Sequence, residues 1–276
     1  MILNFIIWDV SPEIFSIPQG VSIVGGLSVR WYGLLFALSF IFGYIIMKKI
    51  FANEGLGEKV LDQLSTYMLV LTIVGARLGH CLFYEPAYYL SNPFEILKIW
   101  EGGLASHGAA VGIILGLYFF ARSNKKPYLW ILDRVAIVVA LAGFLIRIGN
   151  LMNSEIFGDI TALPWGFYFI KYYDPYFAVD PRHPTQLYEA ISYLAIFIFI
   201  YKLYWNQKGK TINGEITGYF LVLIWGVRFL VEYIKVPQVG FEETMVLDMG
   251  QILSIPLIII GAILLWNAKR KKGLVK

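Results

Sequence analysis

The 276 residues are 58% hydrophobic and 17% aromatic, with only 15% charged, against about 25% charged in an ordinary soluble domain, so a soluble enzyme is excluded first. Twenty-three Lys+Arg against 19 Asp+Glu leave a net charge of +4, and the excess lies in loops and at the C-terminus, with no patch suited to nucleic acid. A single cysteine, Cys81, excludes an internal disulfide framework and any multi-cysteine metal site.

The opening segment, Met-Ile-Leu-Asn-Phe-Ile-Ile-Trp, is followed by no Lys or Arg until Arg30, so it lacks the basic n-region of a signal peptide and no cleavage is expected. Seven apolar stretches follow, near 31–47, 61–83, 103–121, 129–149, 184–204, 215–234 and 246–267. About 20 helical residues at 1.5 Å each cross a hydrocarbon core of roughly 30 Å. The stretches are apolar on every face, whereas a membrane barrel needs alternating segments of ~10 residues, so the expectation is seven transmembrane helices.

Positive charge sets the orientation. The C-terminal tail and the loops after stretches one, three and five hold fourteen cations; the opposite side holds five, namely Arg30, Lys98, Lys171, Arg182 and Lys235. The N-terminus is therefore expected outside and the C-terminus in the cytoplasm. Residues 150–183 then form a small extracytoplasmic cap on one transmembrane domain, 1–276. Its Trp165, Phe167, Tyr168, Phe169, Tyr172, Tyr173, Tyr176 and Phe177 suit the headgroup layer.

Arg77, Arg134, Arg147, Arg228, Asp62, Asp133, Glu189, Glu232 and His107 fall within or at the ends of the apolar stretches. A charge near the bilayer centre costs ~2.5 to 3.5 kcal/mol even on a lenient scale, so such residues face the protein interior and mark either ion pairs or a functional path. Arg228 and Glu232, at i and i+4, can neutralise each other, and Asp133 with Arg134 reads as a helix end of little consequence.

The segment Arg147-Ile-Gly-Asn150-Leu-Met-Asn153-Ser-Glu155-Ile-Phe-Gly158 is richer. On a continued helix, Arg147, Asn150 and Ser154 share a face, with Asn153 and Glu155 close by. A guanidinium grips phosphate bidentately, and amides and a carboxylate hold hydroxyls; a capped helix end needs less. At the start of stretch three, Glu101-Gly-Gly-Leu-Ala-Ser-His107-Gly combines glycines that allow close helix approach with a side chain that accepts protons near neutral pH. Arg77, His80 and Tyr84 form a polar stripe on stretch two that can line the same cavity. Thr185 reads as an N-cap, Glu189 as a first-turn acid, and Cys81 as a small core residue. Three histidines and one cysteine make a zinc site improbable.

Taken in order, these pieces resemble the bacterial prolipoprotein diacylglyceryl transferases. The residues that carry the resemblance are Ser28-Val-Arg30-Trp31-Tyr32-Gly33, Gly75-Ala-Arg77-Leu-Gly79, Gly102-Gly103 through His107-Gly108, Arg147 to Gly158, Arg182-His183-Pro184-Thr-Gln186-Leu-Tyr188-Glu189, Arg228-Phe-Leu-Val-Glu232, and Met249-Gly250-Gln251 with Ser254-Ile-Pro256. The resemblance implies seven transmembrane helices with a small extracytoplasmic head in a bacterial plasma membrane. It implies transfer of the diacylglyceryl group of phosphatidylglycerol to the lipobox cysteine thiol of a lipoprotein precursor, releasing glycerol phosphate. By the same resemblance Arg147 binds phospholipid, Arg228 is the second essential arginine, and His107 is an essential histidine often drawn as the base. Tyr32, Asn150, Asn153, Glu155 and Gly158 match positions associated with the site, no metal or organic cofactor is implied, and a monomer is expected. Ile146, Leu151, His80, Lys235 and Gln238 depart mildly from the family pattern, and Ile224 stands where many members carry tyrosine. A seven-helix transporter or receptor is the alternative, though stretch seven has no Schiff-base lysine from Met245 to Ala268 and no repeated halves are visible.

Overall fold

A computed structural model describes residues 5–16, 28–98, 103, 105–171, 180–236 and 245–274. Tyr172, Tyr173, Tyr176, Phe177, Glu101, Gly102 and Gln238 lie outside the described residues. Seven long helices occupy the seven apolar stretches: α1 (Trp31–Asn53), α2 (Glu58–Phe83), α4 (Ser106–Ser123), α5 (Tyr128–Met152), α6 (Thr185–Asn206), α7 (Glu215–Glu232) and α8 (Met249–Leu274). An eighth, α3 (Pro86–Ser91), is short and precedes a 3-10 turn, Pro93–Leu97. The helices α1, α2, α5, α6 and α8 are long and apolar enough to cross a membrane, as a multi-pass membrane protein requires. Helices α4 and α7 have 18 residues each, and α7 carries Glu215, Arg228 and Glu232.

The chain divides into two compact units, one of residues 47–134 and one of residues 1–46 with 135–276. In the first, α2 packs along α4 on glycines. A Cβ at Gly75 would lie 2.4 Å from the Gly108 carbonyl oxygen, one at Gly79 would lie 2.7 Å from Gly108 Cα, and one at Gly112 would meet Leu71 O at 2.0 Å. Backbones approach this closely only where side chains are absent, which is how membrane helices gain packing energy without a hydrophobic drive. Cys81 is buried as expected. Asp133 and Arg134, read as inconsequential, are instead part of a buried network: Arg134 is 2% exposed, pairs with Glu54 at 2.8 Å, and lies 4.8 Å from the Trp130 ring centre, while Trp130 Nε1 donates to Glu54 at 2.8 Å. The long excursion from α2 to α5 brings Glu54 back onto Arg134, a contact that no local spacing reveals.

In the second unit α7 packs on α6 and α8. Four short strands accompany the helices: β1 (Ile6–Trp8) runs parallel to β4 (Phe167–Phe169), and β2 (Glu13–Ser16) antiparallel to β3 (Ser28–Arg30). Residues after α5 fold over a small core of Leu151, Phe157, Phe167 and Phe169, against which Trp8, Leu187 and Val236 pack. Phe167 and Phe169 are thus interior residues rather than members of a headgroup belt, because β4 turns them inward; Trp165 stays half exposed. Each buried aromatic or aliphatic side chain here stabilises by about 1.5 to 3 kcal/mol. Trp8 Nε1 donates to Leu151 O at 3.0 Å and so satisfies a last-turn carbonyl of α5.

Candidate active site

Helix α5 ends at Met152, two residues short of Ser154, so Ser154 is not on its face. Ser154 N donates to Leu151 O (3.0 Å) and Glu155 N to Asn150 O (3.1 Å), with Ser154 at φ 54°, so the helix closes in a Schellman cap. The cap is also what gathers the polar side chains. It turns Glu155 back, so that Asn150 Nδ2 (2.9 Å) and Asn153 Nδ2 (3.3 Å) both donate to Glu155 Oε1. Asn150 Oδ1 in turn accepts from Arg147 Nη1 at 3.2 Å. Ile156, a β-branched residue at φ 59°, is held in this strained conformation by Thr185 Oγ1, which donates to Ile156 O at 2.8 Å, and by Gln186 Nε2, which donates to Glu155 O at 2.6 Å. Thr185 is therefore not the N-cap of α6; its hydroxyl is committed across to the cap of α5.

Arg147 Nε meets Glu189 Oε2 at 2.9 Å, with the carboxylate fully buried. Glu189, expected among the inward-facing charges and as a first-turn acid of α6, also receives Lys235 Nζ at 3.1 Å and the Tyr193 hydroxyl at 3.3 Å on Oε1. Lys235 reaches Glu232 Oε2 at 3.3 Å. The i,i+4 pair Arg228–Glu232 does not form, because Lys235, at the end of α7, takes the carboxylate. Arg228 lies 5.7 Å from the Trp225 ring centre, and its buried Nε has no partner among the described residues.

Tyr32 packs on α5 where Gly149 leaves room, since a Cβ at Gly149 would lie 2.9 Å from Tyr32 Cδ2. Gly158 is buried, and a Cβ there would come 2.3 Å from Ile234 O and 2.8 Å from His183 Cβ. Its amide donates to His183 O at 2.8 Å, and it bridges to Lys235. Gly158 thus docks the segment after α5 onto the end of α7 and places Lys235.

In the other unit His107, in the first turn of α4, is exposed; its ring lies 5.4 Å from Phe83 edge-on and 5.7 Å from Tyr84 in a stack. The polar stripe on α2 divides. His80 stacks on Tyr84 at 5.5 Å, but Arg77 is 4% exposed and donates to the carbonyls of Glu95 (2.6 Å), Ile96 (2.9 Å) and Gly103 (3.3 Å). Arg77 is an anchor for the chain entering α4 rather than a lining residue. Gly103, at φ 66°, is required there, since a Cβ would strike His80 and Arg77 at 2.6 to 2.7 Å. Lys235 is the residue the sequence left without a site role; the signal available was that it is a charge adjoining an apolar stretch.

A family profile described as prolipoprotein diacylglyceryl transferase matches residues 18–267. The phosphatidylglycerol--prolipoprotein diacylglyceryl transferase of Chloroherpeton thalassium is 43% identical over 99% of this chain and 98% of its own length. The enzymes of the same name from Tolumonas auensis and Porphyromonas gingivalis are 43% and 46% identical, each over 96% of this chain and 98% and 95% of their own lengths. The chain belongs to the prolipoprotein diacylglyceryl transferase family.

Proposed function

We propose that this protein transfers the diacylglyceryl group of phosphatidylglycerol to the lipobox cysteine of a lipoprotein precursor, the first step of lipoprotein maturation. The thiolate sulfur attacks the glycerol carbon, the carbon–oxygen bond breaks with its electron pair on the phosphate oxygen, and a thioether and glycerol phosphate result. The step needs a thiolate and cations on the departing phosphate. The observation that carries the reading is the state of Arg228: Arg147 and Lys235 share Glu189 and Glu232, while Arg228 has no carboxylate partner among the described residues. A guanidinium left unneutralised in an apolar helix is suited to an anion from outside the protein.

Arg147 and Arg228 take the phosphate in this reading, and Asn150, Asn153 and Glu155 take headgroup hydroxyls. Asn153 Oδ1, Ser154 Oγ and Gln186 Oε1 are buried without partners among the described residues, which supports a polyol beside them. Tyr32, packed at Gly149, and Gly158, packed at Ile234 and His183, flank these residues. His107 takes the thiol proton. The protein works as a monomer with seven spans in a bacterial plasma membrane, α4 and α7 completing the set; at 1.5 Å per residue their 18 residues cover about 27 Å. The cap 150–183 and the N-terminus lie outside, and the C-terminus lies in the cytoplasm. Precursor signal peptides are the protein partners, and no nucleic acid or cofactor takes part.

The test is reconstitution of the full-length protein in vesicles with glycerol-labelled phosphatidylglycerol and a lipobox peptide. A peptide gaining the diacylglyceryl mass through a thioether, with glycerol phosphate released in equal amount, is the expected result. Release of glycerol phosphate with unmodified peptide would show a hydrolase and overturn the reading.

A further inference from the structure

The most heavily engaged side chain in the helix core is one for which the reaction just described has no direct use. Glu189 is fully buried and takes Arg147 Nε on Oε2, and Lys235 Nζ and the Tyr193 hydroxyl on Oε1. A carboxylate so placed must be neutralised; here Arg147 lies on one oxygen, while Lys235, shared with Glu232, and the Tyr193 phenol hold the other. These contacts fix its direction. With Oε1 held by two donors, Oε2 has one position, and the Arg147 guanidinium lies against it as an ion pair, Nε at 2.9 Å, without an aligned hydrogen bond. Asn150 then receives Nη1 at 3.2 Å and completes the alignment.

The tyrosine is seated by the same helix that carries the arginine. A Cβ at Gly143, one turn before Arg147, would lie 3.1 Å from Tyr193 Cδ2, so the ring lies close against α5 where glycine leaves it room. Lys235 is 3% exposed in its side chain, so its ammonium is committed inward.

We propose that Glu189 is the positioning residue for Arg147, clamped by Lys235 and Tyr193 so that the guanidinium fork meets the phospholipid phosphate in one orientation. This rests on the reading of Arg147 as the phosphate ligand. A residue that acts only through Arg147 loses its effect when that fork is gone, whereas a residue that merely holds the fold costs the same in either background.

The experiment is a double-mutant cycle on the full-length, detergent-solubilised protein, with equilibrium binding of a fluorescent phosphatidylglycerol in mixed micelles as the readout and the KM and kcat for peptide modification beside it. Glu189→Gln keeps the volume and removes the charge. It is expected to weaken lipid binding about tenfold, within the coupling expected between residues of one ion-pair network, and to raise KM more than it lowers kcat. In an Arg147→Lys background the same change is expected to alter binding less than about twofold. Tyr193→Phe removes one donor while leaving every charge in place, and is expected to weaken binding about threefold with native Arg147 and not at all beside Arg147→Lys. If Glu189→Gln does not accumulate, the Tyr193→Phe pair decides the matter alone. Unchanged binding in the single variants, or equal losses in both backgrounds, would overturn the proposal. A native protein that neither binds phosphatidylglycerol nor modifies the peptide would instead overturn the functional reading, so the two failures are distinguishable.

Discussion

Gly108 offers the sharpest test of how packing supports the chemistry, because it adjoins His107 and lies in the closest approach of α2 and α4. A methyl group there would sit 2.2 Å from Gly75 O and 2.8 Å from Gly79 Cα. A relaxed carbon–oxygen contact is about 3.3 Å or more, so Gly108→Ala must move the helices apart by about 1 Å. No side chain can swing away to absorb this, since the obstructing atoms are backbone. Overpacking of this kind costs about 1 to 3 kcal/mol of stability, and a displacement of about 1 Å in a reacting group costs on the order of 10²-fold in rate. The expected result is a protein that still assembles in membranes, melts lower, and modifies a lipobox peptide on the order of 100-fold more slowly. Gly226→Ala is the control, since a Cβ at Gly226 meets nothing within 4 Å; it should match the native rate. Full activity and an unchanged melting temperature for Gly108→Ala would refute the argument that glycine contact positions the start of α4.

Three further outcomes follow from the same geometry. Arg147→Lys should fail to restore transfer, because an ammonium keeps the charge but cannot hold Glu189 and Asn150 through one planar fork; near-normal turnover in that variant would reduce Arg147 to a diffuse positive field. His107→Gln should lose activity at pH 7 and regain part of it near pH 9, where solvent converts more of a thiol of pKa about 8.5 to thiolate. Full activity at pH 7 would remove His107 from the mechanism, and inactivity at both values would leave it an orienting role. Glu54→Gln should destabilise the unit of residues 47–134 by about 3 to 5 kcal/mol, because Arg134, 2% exposed, would be left buried without its carboxylate; an unchanged thermal midpoint in detergent would show that Trp130 and Asp133 suffice.

Much of this protein is readable from the chain alone. Each of the seven apolar stretches holds a long helix, with α1 and α8 running on to Asn53 and Leu274, because backbone hydrogen bonding in an apolar medium acts locally along the sequence. The cluster from Arg147 to Glu155 is legible for the same reason: its residues lie within two turns of one another. The glycines beside His107 announce close helix approach, and Gly108 and Gly112 deliver it against Gly75, Gly79 and Leu71.

What the tertiary structure alone decided is which charge belongs to which. Arg228 and Glu232 look paired at i and i+4, yet Lys235 takes Glu232. Glu189 looks like a helix-start acid, yet it is the carboxylate on which Arg147, Lys235 and Tyr193 meet. Thr185 looks like a cap and instead bonds Ile156 O, while Arg77 looks like a pocket residue and instead ties down carbonyls. The reason is common to all four. In a low-dielectric interior an ion pair or hydrogen bond is strong enough to override local spacing, and its partner comes from whichever helix the packing brings near, 46 residues away for Glu189 and Lys235.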